Sequence, residues 1–161
     1  EQFKPLIQGG GQQNGLRSGT LPLPLCVGFG EACRLLTEPN FKQTIETTAA
    51  LRDYLFQCMS DLGSPVLLNG PQLSDRHAGN LNLAFTGIKA MDLLMALQPN
   101  LCASSGSACG SGNIEPSHVL KALGLSDEQA DSSIRLSLSH VNTKDEIDKA
   151  VQLISDRLDN L

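Results

Sequence analysis

The sequence contains no tryptophan, one tyrosine and five phenylalanines in 161 residues, too few rings for a base-stacking platform. Cations are scarce as well. Twelve Lys and Arg stand against 17 Asp and Glu, a formal charge of −5, so the basic footprint of a nucleic-acid binder is missing. No apolar run approaches the roughly 20 residues that span a bilayer, which argues against a membrane span. The start Glu1-Gln2-Phe3-Lys4-Pro5 has neither the charged head nor the apolar stretch of a signal peptide. It also lacks an initiator Met, so the chain reads as a piece of something longer. The five cysteines match no CxxC or Cys/His metal spacing, and no Asn-x-Ser/Thr acceptor occurs. No metal site is expected, and the compartment reads as reducing and cytosol-like, hence cytoplasmic.

What is present is an ordinary globular composition, 40% apolar and 18% charged, of the size of one domain with one core. Residues 8–20, rich in glycine, read as a loop. Leu21 to Leu36 reads as a helix with Pro22 and Pro24 in its first turn, and Gly28 and Gly30 mark either a close approach to another backbone or a solvent-side face. A second helix is predicted from Pro39 to Leu62, its apolar arc formed by Phe41, Ile45, Ala49, Leu55, Phe56, Met59 and Leu62. Val66 to Leu68 reads as a short strand. Asn80 to Phe85 alternates as a strand does, with Leu81, Leu83 and Phe85 on one face.

Lys89 to Leu97 is a short amphipathic helix, and Ser104 to Asn113 reads as a flexible loop with nothing large to anchor it. Pro116 is expected at the first position of a helix that Gly124 stops. Ser132 to Ser139 is a strand with Ile134, Leu136 and Leu138 inward and Arg135 and Ser137 outward. Thr143 and Glu146 form a capping box for a last helix, whose apolar stripe runs Ile147, Ala150, Val151, Ile154, Leu158, Leu161. A few strands between helices give an α/β or α+β sandwich.

Among side chains that could carry chemistry, Cys109 stands apart. It sits in the most polar stretch of the chain, whereas Cys26, Cys33, Cys58 and Cys102 have apolar neighbours and read as buried structural thiols. Cys109 is therefore expected to be the most reactive thiol, with an idle surface cysteine as the competing reading. Gly9 to Gly15 fits neither a Walker A loop nor a dinucleotide fingerprint; it reads as a turn or as an anion cradle that Arg17-Ser18-Gly19-Thr20 would extend. Arg135 is either a solvated sheet residue or a bidentate clamp for a carboxylate. His77, His118 and His140 are scattered and support no triad.

Four segments in this order and spacing, QGGGQQNGLRSGT (8–20), SSGSAC (104–109), EPSHVLKALGL (115–125) and SSIRLSLS (132–139), make the chain resemble a cysteine desulfurase of the nitrogenase and iron–sulfur assembly branch. The resemblance runs through essentially the whole sequence. It implies the C-terminal part of a fold-type I pyridoxal-phosphate enzyme, with a small, mostly antiparallel sheet packed with helices. Residues 1–20 would close the large domain as a glycine-rich phosphate and dimer loop, and 21–161 would form the small domain carrying the cysteine loop 104–113. By the same resemblance, Cys109 matches the cysteine that takes sulfur from L-cysteine as a persulfide, leaving alanine. Arg135 matches the residue that grips the substrate carboxylate, and Thr20 the one that reaches the other subunit's cofactor phosphate in a homodimer. An iron–sulfur scaffold or another sulfur acceptor is the implied protein partner.

Two departures from the family pattern stand out. Asn14 replaces a common arginine, and Ser139-His140 replaces a glycine followed by a basic residue. The family's Schiff-base lysine follows a histidine, but here His77, His118 and His140 precede Ala78, Val119 and Val141. None of the six lysines fits, so this chain alone is expected to be inactive. The competing reading is a non-catalytic persulfide relay or scaffold-binding module. An unrelated aminotransferase-like domain is disfavoured, because it needs no loop cysteine.

Overall fold

The structure, a computed structural model, describes residues 4–105 and 116–158. They fall into two compact units, Glu1–Phe41 and Lys42–Leu161.

The first unit holds the glycine-rich loop, with a 3-10 turn at Gln13–Gly15, and helix α1 (Leu23–Leu35). Gln13 and Asn14 adopt left-handed φ values of 55° and 57°. Asn tolerates that region better than most side chains, which gives the asparagine at position 14 a conformational reason. Pro22 caps α1 and Pro24 lies in its first turn, where a missing N–H costs nothing. No residue of α1 is buried. Cβ atoms added to Gly28 or Gly30 would meet nothing within 4 Å among the described residues, which favours the solvent-side reading of the two glycines over a close backbone approach.

The second unit is a four-stranded antiparallel sheet with helices. Its elements are α2 (Phe41–Ser60), β1 (Val66–Leu68), β2 (Asn80–Phe85), α3 (Ala90–Leu97), β3 (Ser104–Ser105), α4 (His118–Ala122), α5 (Asp127–Asp131), β4 (Ser133–Ser137) and α6 (Lys144–Leu158). The strand order is β1-β2-β4-β3, and every pairing is antiparallel. Leu81, Leu83 and Phe85 of β2 and Ile134 and Leu136 of β4 form one face. They pack in one cluster with Leu55 and Met59 of α2, Leu93 and Leu97 of α3, and Ile147 and Ile154 of α6. Each of these side chains contributes about 1.5–3 kcal/mol by leaving water. The alternation that buries them turns Asn82, Arg135 and Ser137 to the opposite face.

Several expectations need correction. The buried row of α2 is Thr48, Arg52, Leu55 and Met59, whereas Ile45 is exposed. Arg52 is buried because its guanidinium binds Asp53 Oδ1 at 2.7 Å and the His77 carbonyl at 3.1 Å, which satisfies the charge. Pro116 precedes the cap rather than opening the helix: Ser117 is the N-cap of α4, its Oγ accepting from Leu120 N at 3.5 Å. Helix α5 was not anticipated, although Ser126 and Gln129 form a reciprocal capping box. Ser104 and Ser105 pair with β4 instead of belonging to a loop; the rest of that loop, and Leu161, lie outside the described residues. The box at Thr143 and Glu146 is present, with Thr143 N donating to Glu146 Oε2 at 2.9 Å.

Candidate functional site

Arg135 is exposed on the face of β4 away from the core. In register it stands opposite Asn82 of β2 on one side and Ser104 of β3 on the other. Asn69, one residue past β1, extends the row by donating its N–H to the Asn82 carbonyl at 3.0 Å. Four strands thus place Asn69, Asn82, Arg135 and Ser104 side by side. Arg135 has no hydrogen bond or ion pair among the described residues.

This row opens onto a cleft of about 320 Å³ whose polar lining is Asn69, Arg76, Asn80, Asn82, Ser117 and Arg135. Val119, Leu120 and Leu123 add an apolar wall. Among the described residues the lining holds two arginines and no carboxylate, so an acidic protein offers a locally cationic recess here. Arg76 is fixed by its own loop. Its Nη2 donates to the Asn69 carbonyl at 2.8 Å, and its Nε to that of Pro71 at 3.1 Å. Burial, and then the charge of Arg52, lower its pKa, and both effects favour an anion as counter-charge. With two planar donors and an apolar wall, the cleft has the chemistry to hold a small carboxylate with a short side chain. A second cavity, of about 310 Å³, follows the seam between β4 and α6 and includes none of the candidate residues.

The segment between Arg76 and β2 is held by one close approach. A Cβ at Gly79 would lie 2.0 Å from the Leu138 carbonyl oxygen. The Leu138 N–H donates to the Gly79 carbonyl at 2.8 Å. Only glycine lets the Arg76–Gly79 segment pass β4 at that distance.

Thr20 lies in the first unit, exposed, with no hydrogen-bond partner among the described residues. Its loop closes on itself: Gly11 N donates to Ser18 Oγ at 3.2 Å and Gly19 N to Gln12 Oε1 at 2.9 Å. Those two amides are therefore committed internally, as the turn reading requires. Cys109 lies outside the described residues. The other four cysteines contradict their expected burial: Cys26, Cys33 and Cys102 are exposed and Cys58 is half-buried. Cys26 and Cys33 sit on α1, which buries no residue, and Cys102 lies in the connection before β3.

The described residues do not fit a covalently held pyridoxal phosphate. All six lysines are exposed, and Lys42, Lys121 and Lys144 are engaged with Glu46, Asp127 and Asp148. None lines the cleft that holds Arg135. Sequence reasoning singled out Arg135 but missed Asn69, Asn82 and Arg76; only the alternation of β2, which sets Asn82 on the Arg135 face, pointed towards them.

A model of the aminotransferase class-V family matches residues 4–150. The chain is 43% identical over 157 residues to a protein of Rickettsia prowazekii named cysteine desulfurase IscS, covering 98% of this chain and 38% of that one. It therefore spans about two-fifths of the length of the curated relatives it matches. Among solved structures, a NifS-like protein from Rickettsia africae aligns with a TM-score of 0.81 at 30% identity, over 99% of this chain and 41% of that one. SspA in complex with cysteine aligns with a TM-score of 0.55 at 31% identity, over 86% and 36%. Small antiparallel sheet, covering helices and the reach of the family match agree: the chain belongs to the aminotransferase class-V family, with cysteine desulfurases and NifS-like proteins as its homologues.

Proposed function

We propose that the chain is the C-terminal part of a cysteine desulfurase, in which residues 1–20 finish the large domain and 21–161 form the small one. The observation that carries the reading is Arg135: a guanidinium with no ion pair and a cleft with no carboxylate among the described residues, on a strand paired with the one that leads into the Cys109 segment. The cysteine held by the related SspA structure supports an amino-acid ligand of that kind. Arg135 grips the carboxylate of L-cysteine through two parallel N–H donors.

Cys109 follows Ser105 of β3 by four residues in the sequence, and in this reading it acts on the substrate that Arg135 holds. Its thiolate sulfur forms a bond to the substrate sulfur while the substrate's Cβ–S bond breaks. The released electron pair and one proton end on Cβ, giving alanine and a persulfide on Cys109 with no net oxidation. Pyridoxal phosphate, the cofactor the family implies, would supply the electron sink, and its lysine would have to come from outside this chain. Thr20 would be the residue that holds the cofactor phosphate of the other subunit in a homodimer. The enzyme works in the cytoplasm and passes its sulfur to an iron–sulfur scaffold or another acceptor protein.

The chain alone is then inactive. Purified and incubated with pyridoxal phosphate, it should develop no cofactor–lysine absorbance and release no alanine from cysteine. Adding the remainder of the enzyme in trans should restore alanine release, and Cys109→Ser should abolish it. The exposure of every lysine equally favours a second reading, a persulfide-relay module without its own cofactor. Persulfide accepted by the isolated chain from a donor, with no activity gained in trans, would establish that reading instead.

A further inference from the structure

We propose that Asn82 is a second contact for the substrate carboxylate, and that Asn69 and Ser133 are positioning residues that aim its amide. The inference rests on the carboxylate reading of Arg135. Its basis is a relay of hydrogen bonds whose direction is fixed at one end. Ser133, fully buried, donates its hydroxyl proton to the Gln129 carbonyl at 2.6 Å. Its oxygen can then only accept, and the atom of Asn69 lying 2.8 Å from it must be the donor Nδ2. The same Nδ2 lies 2.7 Å from Asn82, whose facing atom must therefore be Oδ1. Asn69 is itself only 7% exposed, which leaves little room for another rotamer.

With Oδ1 committed to Asn69, the Asn82 NH2 group has no partner among the described residues. It is half-buried, lines the cleft, and stands directly opposite Arg135 across the β2–β4 pair. Facing side chains in such a pair are about 5 Å apart at Cβ. A guanidinium and an amide thus offer donors side by side, a pattern that suits the oxygens of a carboxylate and nothing cationic. Asn69 is the shared donor, giving one N–H towards Ser133 and one to Asn82, and an amide whose oxygen accepts in this way is polarised to donate from its NH2.

The test uses the full-length, cofactor-loaded enzyme and two probes that carry no sulfur to transfer: L-alanine, with a carboxylate, and L-alaninamide, without one. Calorimetric titration reads the preference for the acid over the amide. Arg135→Lys should erase most of that preference. Asn82→Ala should weaken L-alanine about tenfold or more, as loss of a hydrogen bond to a charged group does, and should leave L-alaninamide unchanged. Asn82→Asp should weaken L-alanine further, since the oxygen replacing NH2 repels the carboxylate. Ser133→Ala frees the Asn69 amide to rotate and should lower the preference by a smaller factor, about threefold, with no effect on L-alaninamide. Melting curves check that each variant is folded. Full preference in both Asn82 variants, with preference lost in Arg135→Lys, overturns the inference and leaves the Arg135 reading standing. Preference retained in Arg135→Lys removes the Arg135 reading and the inference with it.

Discussion

Asn82 and Arg135 face each other on neighbouring antiparallel strands, on the sheet face that the apolar core leaves open. The same alternation that buries Leu81, Leu83, Ile134 and Leu136 sets this pair on the cleft, so one pattern builds both core and site.

Arg135 should matter for substrate and not for folding. It is exposed and makes no ion pair among the described residues, and surface changes of this kind usually stay within about 0.5 kcal/mol. In the full-length enzyme, Arg135→Lys should cut turnover at least tenfold with an unchanged melting temperature, because lysine keeps the charge and loses the fork. A melting temperature that falls in step with activity would show a structural role.

Gly79→Ala should destabilise the fold by about 2 kcal/mol or more, as overpacking does. The new methyl would sit 2.0 Å from the Leu138 carbonyl oxygen, which is backbone and cannot swing aside. Urea unfolding of the isolated chain measures it; an unchanged midpoint would mean that the strand ends separate freely.

The link between α2 and α6 should be pH-sensitive at both extremes. Tyr54 donates to Asp148 at 2.7 Å, and Lys144 Nζ donates to Asp148 and Tyr54, each at 2.8 Å. The Lys144 hydrogen bond, then that of Tyr54, holds the Asp148 carboxyl below its usual range. Asp148, then Tyr54, pushes the Lys144 ammonium above its own. The carboxylate's contribution is present above its unfolded pKa, near 4, and is lost as pH falls through the lower folded value. The ammonium's contribution is present below its unfolded pKa, near 10, and is lost as pH rises through the higher folded value. The melting-temperature gap between the parent chain and Asp148→Asn should therefore be widest near neutrality and close towards both ends. These groups are exposed, so the gap should be small and shrink with salt. A gap constant from pH 2 to neutrality would contradict the assignment.

Alkylation cannot by itself single out Cys109, because Cys26, Cys33 and Cys102 are exposed too. In the isolated chain, iodoacetamide with peptide mapping should label these three readily and Cys58 last. Cys58 reacting ahead of them would mean that α2 opens more easily than its packing implies.

How far the sequence could be read follows from how local each signal is. Strand β2 and the box at Thr143 and Glu146 match their reading because period and cap are set by adjacent residues. Arg135 was legible as the outward residue between Ile134 and Leu136. The relay from Ser133 through Asn69 to Asn82 was not, since it joins residues up to 64 positions apart. Burial of Arg52 escaped for the same reason: its partner is the His77 carbonyl, 25 residues away. The apolar neighbours of Cys26 and Cys33 misled because an apolar helix is not thereby a covered one, and α1 is exposed throughout.

The most direct test of the account is where sulfur goes. The full-length enzyme, loaded with pyridoxal phosphate, is given one equivalent of cysteine labelled with heavy sulfur, then trapped with an alkylating agent, digested and mapped by mass. The account predicts one extra heavy sulfur atom on the Cys109 peptide, matched by an equal amount of alanine, and neither in Cys109→Ser. Alanine formed at the normal rate in Cys109→Ser, or the heavy sulfur found on Cys26, Cys33, Cys58 or Cys102 instead, would contradict it.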